Sequence, residues 1–142
     1  MRVYFSCSLT GGRADQPIYA AIVDHLEALG HHVLTAHLAR PEVMAEETVV
    51  DPRQVYARDI AWILEAEAVV AEVSTPSHGV GYEIAYALAA GRPVLCLYRD
   101  GATVSKMLTG NTEPGLRVAA YADVAAALRE AERFVDGGLD DR

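Results

Sequence analysis

The sequence has few cysteines and lacks the common metal-binding motifs. Its two cysteines, Cys7 and Cys96, form no CxxC pair. This spacing excludes a disulfide framework and a cysteine-based zinc module, and both residues lie in apolar runs, so we expect reduced thiols in the core. The HExxH motif is absent, and no histidine pair has metal-ligand spacing. We therefore expect a protein that uses neither a metal nor a cofactor.

Basic residues are also scarce. The chain has 12 Lys and Arg against 20 Asp and Glu, which gives a formal net charge of −8 and a pI near 5.0. Such a balance argues against binding to nucleic acid, whose affinity comes largely from Lys and Arg that neutralise phosphates. A small anionic ligand remains compatible with it, because turn amides and helix N-termini act over a short range.

Long hydrophobic runs are absent as well. No apolar stretch approaches the roughly 20 residues that a membrane-spanning helix needs, although 51% of the residues are hydrophobic. The chain starts directly with the apolar segment Val3-Tyr4-Phe5, without the basic region and long hydrophobic segment of a secretory signal. We expect a cytoplasmic protein with no membrane partner.

The length of 142 residues suits one domain, predicted over residues 1–136, with a disordered tail at 137–142. Apolar strand-like runs alternate with helical patterns, and this alternation predicts an α/β fold with a parallel sheet and helices on both faces. The five predicted strands are Val3 to Ser6, His32 to Thr35, Ala68 to Val73, Pro93 to Tyr98 and Leu116 to Ala120.

Local signals place the predicted helices between these strands. Gly30 should end the first helix, Asp51-Pro52 should begin the second, and the last should start near Asp123. In the helix after Pro52 we expect Val55, Ile60, Ile63 and Leu64 to face the core and Arg58 and Glu65 to face water. Two connections, Ala36 to Val50 and Gly101 to Pro114, are long enough to indicate functional or mobile segments.

A small, hydroxyl-rich and glycine-rich turn follows the first predicted strand. It runs Ser6-Cys7-Ser8-Leu9-Thr10-Gly11-Gly12-Arg13 and leads into a helix. Such a turn can offer backbone N–H groups, hydroxyls and a guanidinium to a phosphate, but its glycines also suit an ordinary tight turn. It matches neither the GxGxxG dinucleotide fingerprint nor the P-loop, which disfavours NAD binding and P-loop ATP hydrolysis.

A second polar turn separates two apolar runs, as Ser74-Thr-Pro-Ser77-His-Gly79-Val-Gly81-Tyr-Glu83. We expect Glu83 in the first turn of a helix, at the carboxyl end of a strand, where open α/β sheets bind ligands. The plainer interpretation is an acidic residue favoured by the positive end of the helix dipole. Ser77 is well placed to bind an anion.

Three further side chains are candidates for chemistry. Asp59 lies on the helix that starts at Pro52, where it is either an exposed partner of Arg58 or a second acid over the crevice of Glu83. Tyr4 is either a core aromatic or a hydroxyl directed at a ligand or nucleophile. His37 follows the second strand and is placed to touch a ligand.

Taken together, these motifs resemble the nucleoside 2-deoxyribosyltransferase superfamily, in particular its branch of 2'-deoxynucleoside 5'-monophosphate N-hydrolases. The resemblance rests on four segments and extends from Val3 to about Tyr121; the segments are Tyr4 to Ser8, Gly11-Gly12-Arg13, Asp59 to Trp62 and Ser77 to Glu83. It implies a flavodoxin-like five-stranded sheet, a homodimer, and cleavage of the N-glycosidic bond of a deoxynucleoside monophosphate.

The resemblance also implies roles for individual residues. Glu83 would attack the anomeric carbon and form a glycosyl-enzyme, with Asp59 as partner acid and Tyr4 orienting the nucleophile. Ser8, Ser77 and Gly79 would surround the 5'-phosphate, and Ser105 would reach it from the neighbouring subunit.

The complete set expected to bind substrate is Ser6, Ser8, Gly11, Gly12, Arg13, His37, Ser77, Gly79 and Ser105. Thr10 departs from the family pattern, because some relatives carry an arginine there. Two other functions remain open: deoxyribosyl transfer between bases, and a non-catalytic nucleotide sensor that would tolerate loss of Glu83.

Overall fold

A computed structural model describes residues 1–10 and 13–137 of the chain. Gly11 and Gly12 of the predicted phosphate turn lie outside the described residues. The predicted tail falls largely outside them too, since only its first residue, Gly137, is described, as the C-cap of the last helix.

A five-stranded, all-parallel sheet organises the domain, as the alternation of patterns predicts. Its strand order is β2-β1-β3-β4-β5. The strands are β1 (Arg2–Ser6), β2 (His32–Val33), β3 (Ala68–Glu72), β4 (Val94–Arg99) and β5 (Leu116–Tyr121). The order changes direction between β1 and β3, and ligands of open α/β sheets bind outside the carboxyl ends of the strands at such a point.

Helices cover both faces of the sheet. In the described part of the chain, the α-helices are α1 (Gln16–Ala28), α2 (Val43–Glu47), α3 (Pro52–Glu65), α4 (His78–Ala89), α5 (Lys106–Thr109) and α6 (Val124–Asp136), and a 3-10 turn spans Ala36–Ala39. Hence the two long connections contain short helices: the first holds the 3-10 turn and α2, and the second holds α5.

The alternating side chains of the strands build two hydrophobic cores. Val3 and Phe5 of β1 pack with α1 and α6 on one face, whereas Tyr4 points to the other face, where α3 and α4 pack. This division follows from the two-residue period of a strand. Cys7 and Cys96 are buried free thiols, as expected from the sequence.

The predicted helix boundaries hold where capping residues mark them. Gly30 adopts a positive φ of 92° directly after α1, the Asp51 side chain accepts from the Arg53 N–H at the start of α3, and Asp123 caps α6 in the same way through Ala126. These signals are local, so the sequence carries them without knowledge of the tertiary fold.

Two predictions about the faces of α3 were wrong. Leu64 is 44% exposed rather than facing the core. Arg58 is half-buried rather than facing water, because it contacts acidic side chains and the ring of Trp62. An amphipathic pattern marks the apolar face of a helix, but it does not show which polar side chains a neighbouring segment covers.

Candidate active site

A cavity of about 440 Å³ opens next to the carboxyl ends of β1 and β3. It brings together Glu83 from α4, Asp59 from α3 and Glu47 from α2. The rest of its lining comes from the loop after β1, from α2 and the segment that follows it, and from α3 and α4: Leu9, Thr10, Met44, Thr48, Val50, Pro52, Val55, Tyr56, Ile60, Gly79 and Tyr82. The cavity therefore has three carboxyl groups set in a largely apolar wall.

Glu83 lies in the second turn of α4, not in the first as the sequence predicted. The helix begins at His78, with Ser77 as its N-cap. Glu83 is thus too far along the helix for its position to be explained by the dipole of the first turn, since that effect falls off within the first turn. This removes the main support for the plainer interpretation.

The Glu83 carboxyl is held from β1. The Ser6 hydroxyl donates to Oε2 of Glu83 at 2.7 Å, and Ser6 is fully buried. Burial raises the pKa of Glu83 to about 7, and the nearby Asp59 adds to this rise, whereas the hydrogen bond from Ser6 opposes it. A carboxyl group with a pKa near neutrality is typical of residues that take part in catalysis.

Tyr4 lies close to this carboxyl group and is fully buried. Burial, with further contributions from Glu83 and Asp59, raises the pKa of Tyr4 far above its ordinary value, so the phenol stays protonated. The hydroxyl lowers the pKa of Glu83, although its oxygen has no partner with hydrogen-bond geometry in the described part of the chain. Tyr4 is therefore a neutral phenol close to the carboxylate.

Asp59 belongs to a charged network that the sequence only partly revealed. Arg58 Nε donates to Asp59 Oδ1 at 2.9 Å, and Arg58 Nη1 donates to Glu47 Oε1 at 3.0 Å. His37 lies 3.3 Å from the same Glu47 oxygen and packs edge-on against Trp62. His37 thus contacts Glu47, a residue of the cavity wall.

This network controls the ionisation of Asp59. Burial raises the pKa of Asp59, and the hydrogen bond and charge of Arg58 lower it. The guanidinium of Arg58 also lies over the Trp62 ring, 5.0 Å from its centroid, and its Nη2 atom has no partner among the residues described. The hydrogen bond from Arg58 holds the Asp59 carboxyl group in place. Because Arg58 also donates to Glu47, it keeps these two carboxyl groups close together.

Sequence reasoning missed Glu47 and assigned Arg58 to solvent. The signal for Glu47 was the acidic Glu46-Glu47 pair inside a long connection, which by itself does not show which of the two side chains turns inward. Only the tertiary structure, in which Arg58 Nη1 donates to Glu47 Oε1, brings these two residues together.

The turn after β1 offers hydroxyl groups to the site, whereas its charged side chain, Arg13, is engaged by neighbouring parts of the protein. Ser8 is fully buried, and its Oγ has no partner among the described residues. Thr10 lines the cavity, so the residue that departs from the family pattern lies at the site. The Arg13 guanidinium donates to the backbone carbonyls of Ser8 (3.3 Å) and Arg40 (2.9 Å) and lies over the Tyr19 ring, and these contacts hold the turn against its neighbours.

Ser77 and Gly79 lie at the start of α4. The Ser77 Oγ accepts from the Val80 N–H at 3.3 Å, which caps the helix, and Gly79 lines the cavity together with Glu83. The N-terminal N–H groups of a helix have no partners within the helix and favour anions. The start of α4 is thus suited to an anionic group next to Glu83.

Ser105 lies apart from the carboxyl groups. It lines a second groove, of about 580 Å³, which lies between α4 and the segment around α5 and which it shares with Ser77. Its hydroxyl accepts from the Met107 N–H and so begins α5. Within one chain, the structure groups Ser105 with Ser77 rather than with Glu83 and Asp59.

Two other kinds of feature are absent from the described residues, 1–10 and 13–137. Among them, no cluster of three or more His, Cys, Asp or Glu side chains could hold a metal ion. No helix in the same part of the chain has the length and apolar character needed to span a membrane.

Comparison with known proteins places the chain in a family. Residues 3–132 match the model of the nucleoside 2-deoxyribosyltransferase family. The chain therefore belongs to this family, as the motifs around Tyr4, Asp59 and Glu83 indicated.

Two similar proteins have names that include an activity. The chain is 41% identical over 128 residues to a protein of Methanococcoides burtonii named "Putative 2'-deoxynucleoside 5'-phosphate N-hydrolase 1", covering 90% of this chain and 98% of that one. It is 46% identical over 112 residues to the 5-hydroxymethyl-dUMP N-hydrolase of Mus musculus, covering 76% of this chain and 64% of the mouse protein.

Solved structures share the fold. The CMP N-glycosidase BcmB of Clostridium botulinum superposes with a TM-score of 0.71 at 19% identity, over 93% of this chain and 98% of that one. A 2-deoxyribosyltransferase of Bacillus psychrosaccharolyticus gives a TM-score of 0.64 at 16% identity, over 90% of each chain. These similarities confirm the predicted α/β architecture.

Proposed function

We propose that the protein hydrolyses the N-glycosidic bond of 2'-deoxynucleoside 5'-monophosphates, releasing a free base and 2-deoxyribose 5-phosphate. The observation that carries this proposal is the grouping of Glu83 and Asp59 in one cavity, with the buried Tyr4 hydroxyl close to Glu83. The names of the relatives that are 40–46% identical support the same bond and the same substrate class. The enzyme is an N-glycosidase in this interpretation.

Glu83 is the nucleophile of the proposed reaction. Its carboxylate attacks C1' of the sugar as the bond from C1' to the base nitrogen breaks, and the bonding electron pair leaves with the base. The transition state resembles an oxocarbenium ion, which a nearby carboxylate stabilises. Ser6 holds Oε2 at 2.7 Å, so one carboxylate oxygen is fixed and the other is left for the attack.

Asp59 acts on the departing base in this scheme. Two carboxyl groups in different environments can take different protonation states, which lets one act as nucleophile and the other as acid. Burial raises the pKa of Asp59, which favours its protonated form, and the hydrogen bond from Arg58 fixes the carboxyl group. Asp59 gives its proton to the departing base. A water molecule then attacks C1' of the glycosyl-enzyme as the bond from C1' to Glu83 breaks, the Asp59 carboxylate takes the proton of this water, and 2-deoxyribose 5-phosphate is released.

The remaining parts of the substrate fit the rest of the site. The apolar wall formed by Val55, Ile60 and neighbouring residues suits a planar base. The 5'-phosphate is assigned to the start of α4 at Ser77 and Gly79 and to the hydroxyl of Ser8, and the sequence adds Gly11, Gly12 and Arg13 as expected contributors. Local N–H and O–H donors can hold one phosphate in a chain whose net charge is −8.

The decisive variant is Glu83→Ala. We expect base release from deoxynucleoside monophosphates to fall by several orders of magnitude in kcat, because this group forms the covalent bond. Released bases are resolved by chromatography for each monophosphate, its nucleoside and its ribonucleotide, with circular dichroism as the control for folding. Activity within tenfold of the wild type would exclude Glu83 as nucleophile, and equal kcat/KM for nucleoside and monophosphate would contradict the phosphate site.

Deoxyribosyl transfer is the second candidate, because it uses the same glycosyl-enzyme with a second base in place of water. Adding a different free base to the reaction separates the two functions. Hydrolysis predicts free 2-deoxyribose 5-phosphate only, whereas transfer predicts a new nucleotide that carries the added base.

We also propose that the enzyme is a homodimer whose phosphate site receives Ser105 from the partner subunit. The apolar groove that contains Ser105 supports a second copy as its occupant, since Met107 on its rim is 81% exposed. A two-fold interface would repeat the contact in both sites.

A further inference from the structure

Asp15 occupies the position that caps α1, yet its side chain does not cap the helix. Its backbone carbonyl accepts from Ile18 and Tyr19, but no hydrogen bond joins its carboxylate to the first turn of α1. Asp is among the preferred capping residues because its carboxylate satisfies these N–H groups. The carboxylate of Asp15 is therefore used for another contact.

The contact reaches across the molecule to residues distant in sequence. Oδ2 of Asp15 accepts from the Thr75 hydroxyl at 2.9 Å, and Oδ1 pairs with the Arg99 guanidinium. Asp15 itself is only 8% exposed. A buried carboxylate with both oxygens engaged is held firmly and loses its partners only at a cost in free energy.

The same cluster holds the loop that precedes α4. The backbone N–H of Arg99 donates to Ser74 Oγ at 2.8 Å, and the Ser74 N–H donates to Glu72 Oε1 at 2.7 Å. Ser74 and Glu72 are both buried. The segment from Glu72 to Thr75 is thus fixed to β4 on one side and to Asp15 on the other.

The two segments that Asp15 joins are the two sides of the proposed phosphate site. Arg13, whose guanidinium donates to the Ser8 carbonyl, stands two residues before Asp15, and Thr75 stands two residues before Ser77, the cap of α4. We propose that Asp15 is a positioning residue for phosphate recognition, which sets the turn after β1 and the start of α4 at the separation that a 5'-phosphate needs. This inference rests on the proposed function.

The negative charge of Asp15 allows the positioning role to be distinguished from a purely electrostatic effect on the phosphate. A carboxylate near a bound phosphate repels it, so if Asp15 acted through charge alone, its neutralisation would tighten binding of a monophosphate. If Asp15 aligns the two segments, its neutralisation loosens them and weakens that binding. The two interpretations predict opposite changes.

The test compares ligands with and without the phosphate. Asp15→Asn is combined with Glu83→Gln, which blocks turnover, and binding of dUMP, deoxyuridine and 2-deoxyribose 5-phosphate is measured by calorimetry. We expect dUMP and 2-deoxyribose 5-phosphate to bind at least tenfold more weakly than to Glu83→Gln alone, with deoxyuridine within twofold. Thr75→Val, which removes the other half of the contact and keeps the side-chain volume, should give the same pattern.

Glu130→Gln is the matched control, because Glu130 forms a part-buried ion pair with Arg117 between α6 and β5. It should leave all three affinities unchanged. Tighter or unchanged dUMP binding in Asp15→Asn and Thr75→Val, or an equal loss for dUMP and deoxyuridine, would overturn the positioning role and leave the proposed function intact. Failure of Glu83→Gln alone to bind dUMP and 2-deoxyribose 5-phosphate would overturn the phosphate site and this inference together.

Discussion

At the scale of single residues, Glu83 shows a conflict between stability and chemistry. Its carboxyl group is buried enough to raise its pKa to about 7, yet a nucleophile must be ionised to react. Ser6 and Tyr4 reduce this conflict by interacting with the charged form. Base release should therefore rise with pH through about 7, as Glu83 loses its proton.

Glu83→Gln should stabilise the folded protein at alkaline pH. The folded pKa of about 7 lies above the ordinary value of 4.5, so the folded state holds the proton more tightly, and ionisation between these values weakens folding. Below about pH 4 the variant and the wild type should be equally stable. Above pH 8 the variant should be more stable, by an amount on the order of 3 kcal/mol.

Urea unfolding of both proteins at a series of pH values measures this difference. A difference in unfolding free energy that stays constant from pH 4 to pH 8 would contradict a raised pKa of Glu83. A variant that is less stable at pH 8 would show that the ionised carboxylate helps the fold.

At the scale of secondary-structure elements, the start of α4 is the part of the fold most directly related to the proposed binding of phosphate. Gly79 occupies the first turn, where a Cβ would lie 3.8 Å from Ser77 Oγ, an ordinary contact. The packing of the protein itself therefore leaves room for a larger residue at this position. Because Gly79 also lines the cavity, its lack of a side chain suits the close approach of a ligand.

Gly79→Ala should separate stability from activity. Alanine is the better helix former, by up to about 1 kcal/mol, so the melting temperature should stay the same or rise. The added methyl group occupies the space assigned to the phosphate, so kcat/KM for deoxynucleoside monophosphates should fall at least tenfold. Wild-type activity in a fully folded variant would place the ligand elsewhere in the cavity.

At the scale of the whole molecule, the shared-site proposal predicts recovery of activity between two inactive proteins. A Glu83→Ala subunit lacks the nucleophile, and a Ser105→Trp subunit blocks the phosphate site of its partner. In a mixed dimer, one site combines an intact Glu83 with the intact Ser105 of the other subunit. About one site in each mixed dimer should then work.

Differently tagged subunits, refolded together and purified through both tags, allow this measurement. The separate homodimers are the controls, and each should be inactive. Mixed dimers that form but show no activity would locate Ser105 in the site of its own chain, where it already shares a groove with Ser77. An active monomer in sedimentation experiments would exclude the shared site altogether.

The sequence by itself determined the elements and their order. Alternating apolar runs specify buried parallel strands, and Gly30, Asp51 and Asp123 mark helix ends through short-range contacts. It also singled out Glu83, because a polar turn after a buried strand stands out, and it left Asp59 open between an exposed helical residue and a second acid over the same crevice. The sequence placed the beginning of α4 too close to Glu83, because Gly79 and Gly81 weaken the helical pattern of the residues from His78 onward.

Only the tertiary structure decided which side chains act together. Ser6 and Glu83 are 77 positions apart, and Asp15 and Arg99 are 84 apart, so no local pattern records their contacts. Parallel strands bring their carboxyl ends to the same edge of the sheet, and the helices that follow them then fix each partner. Arg58 turns inward for the same reason. Helix α2 places Glu47 beside it, and a buried charge is costly unless a charge of opposite sign pairs with it.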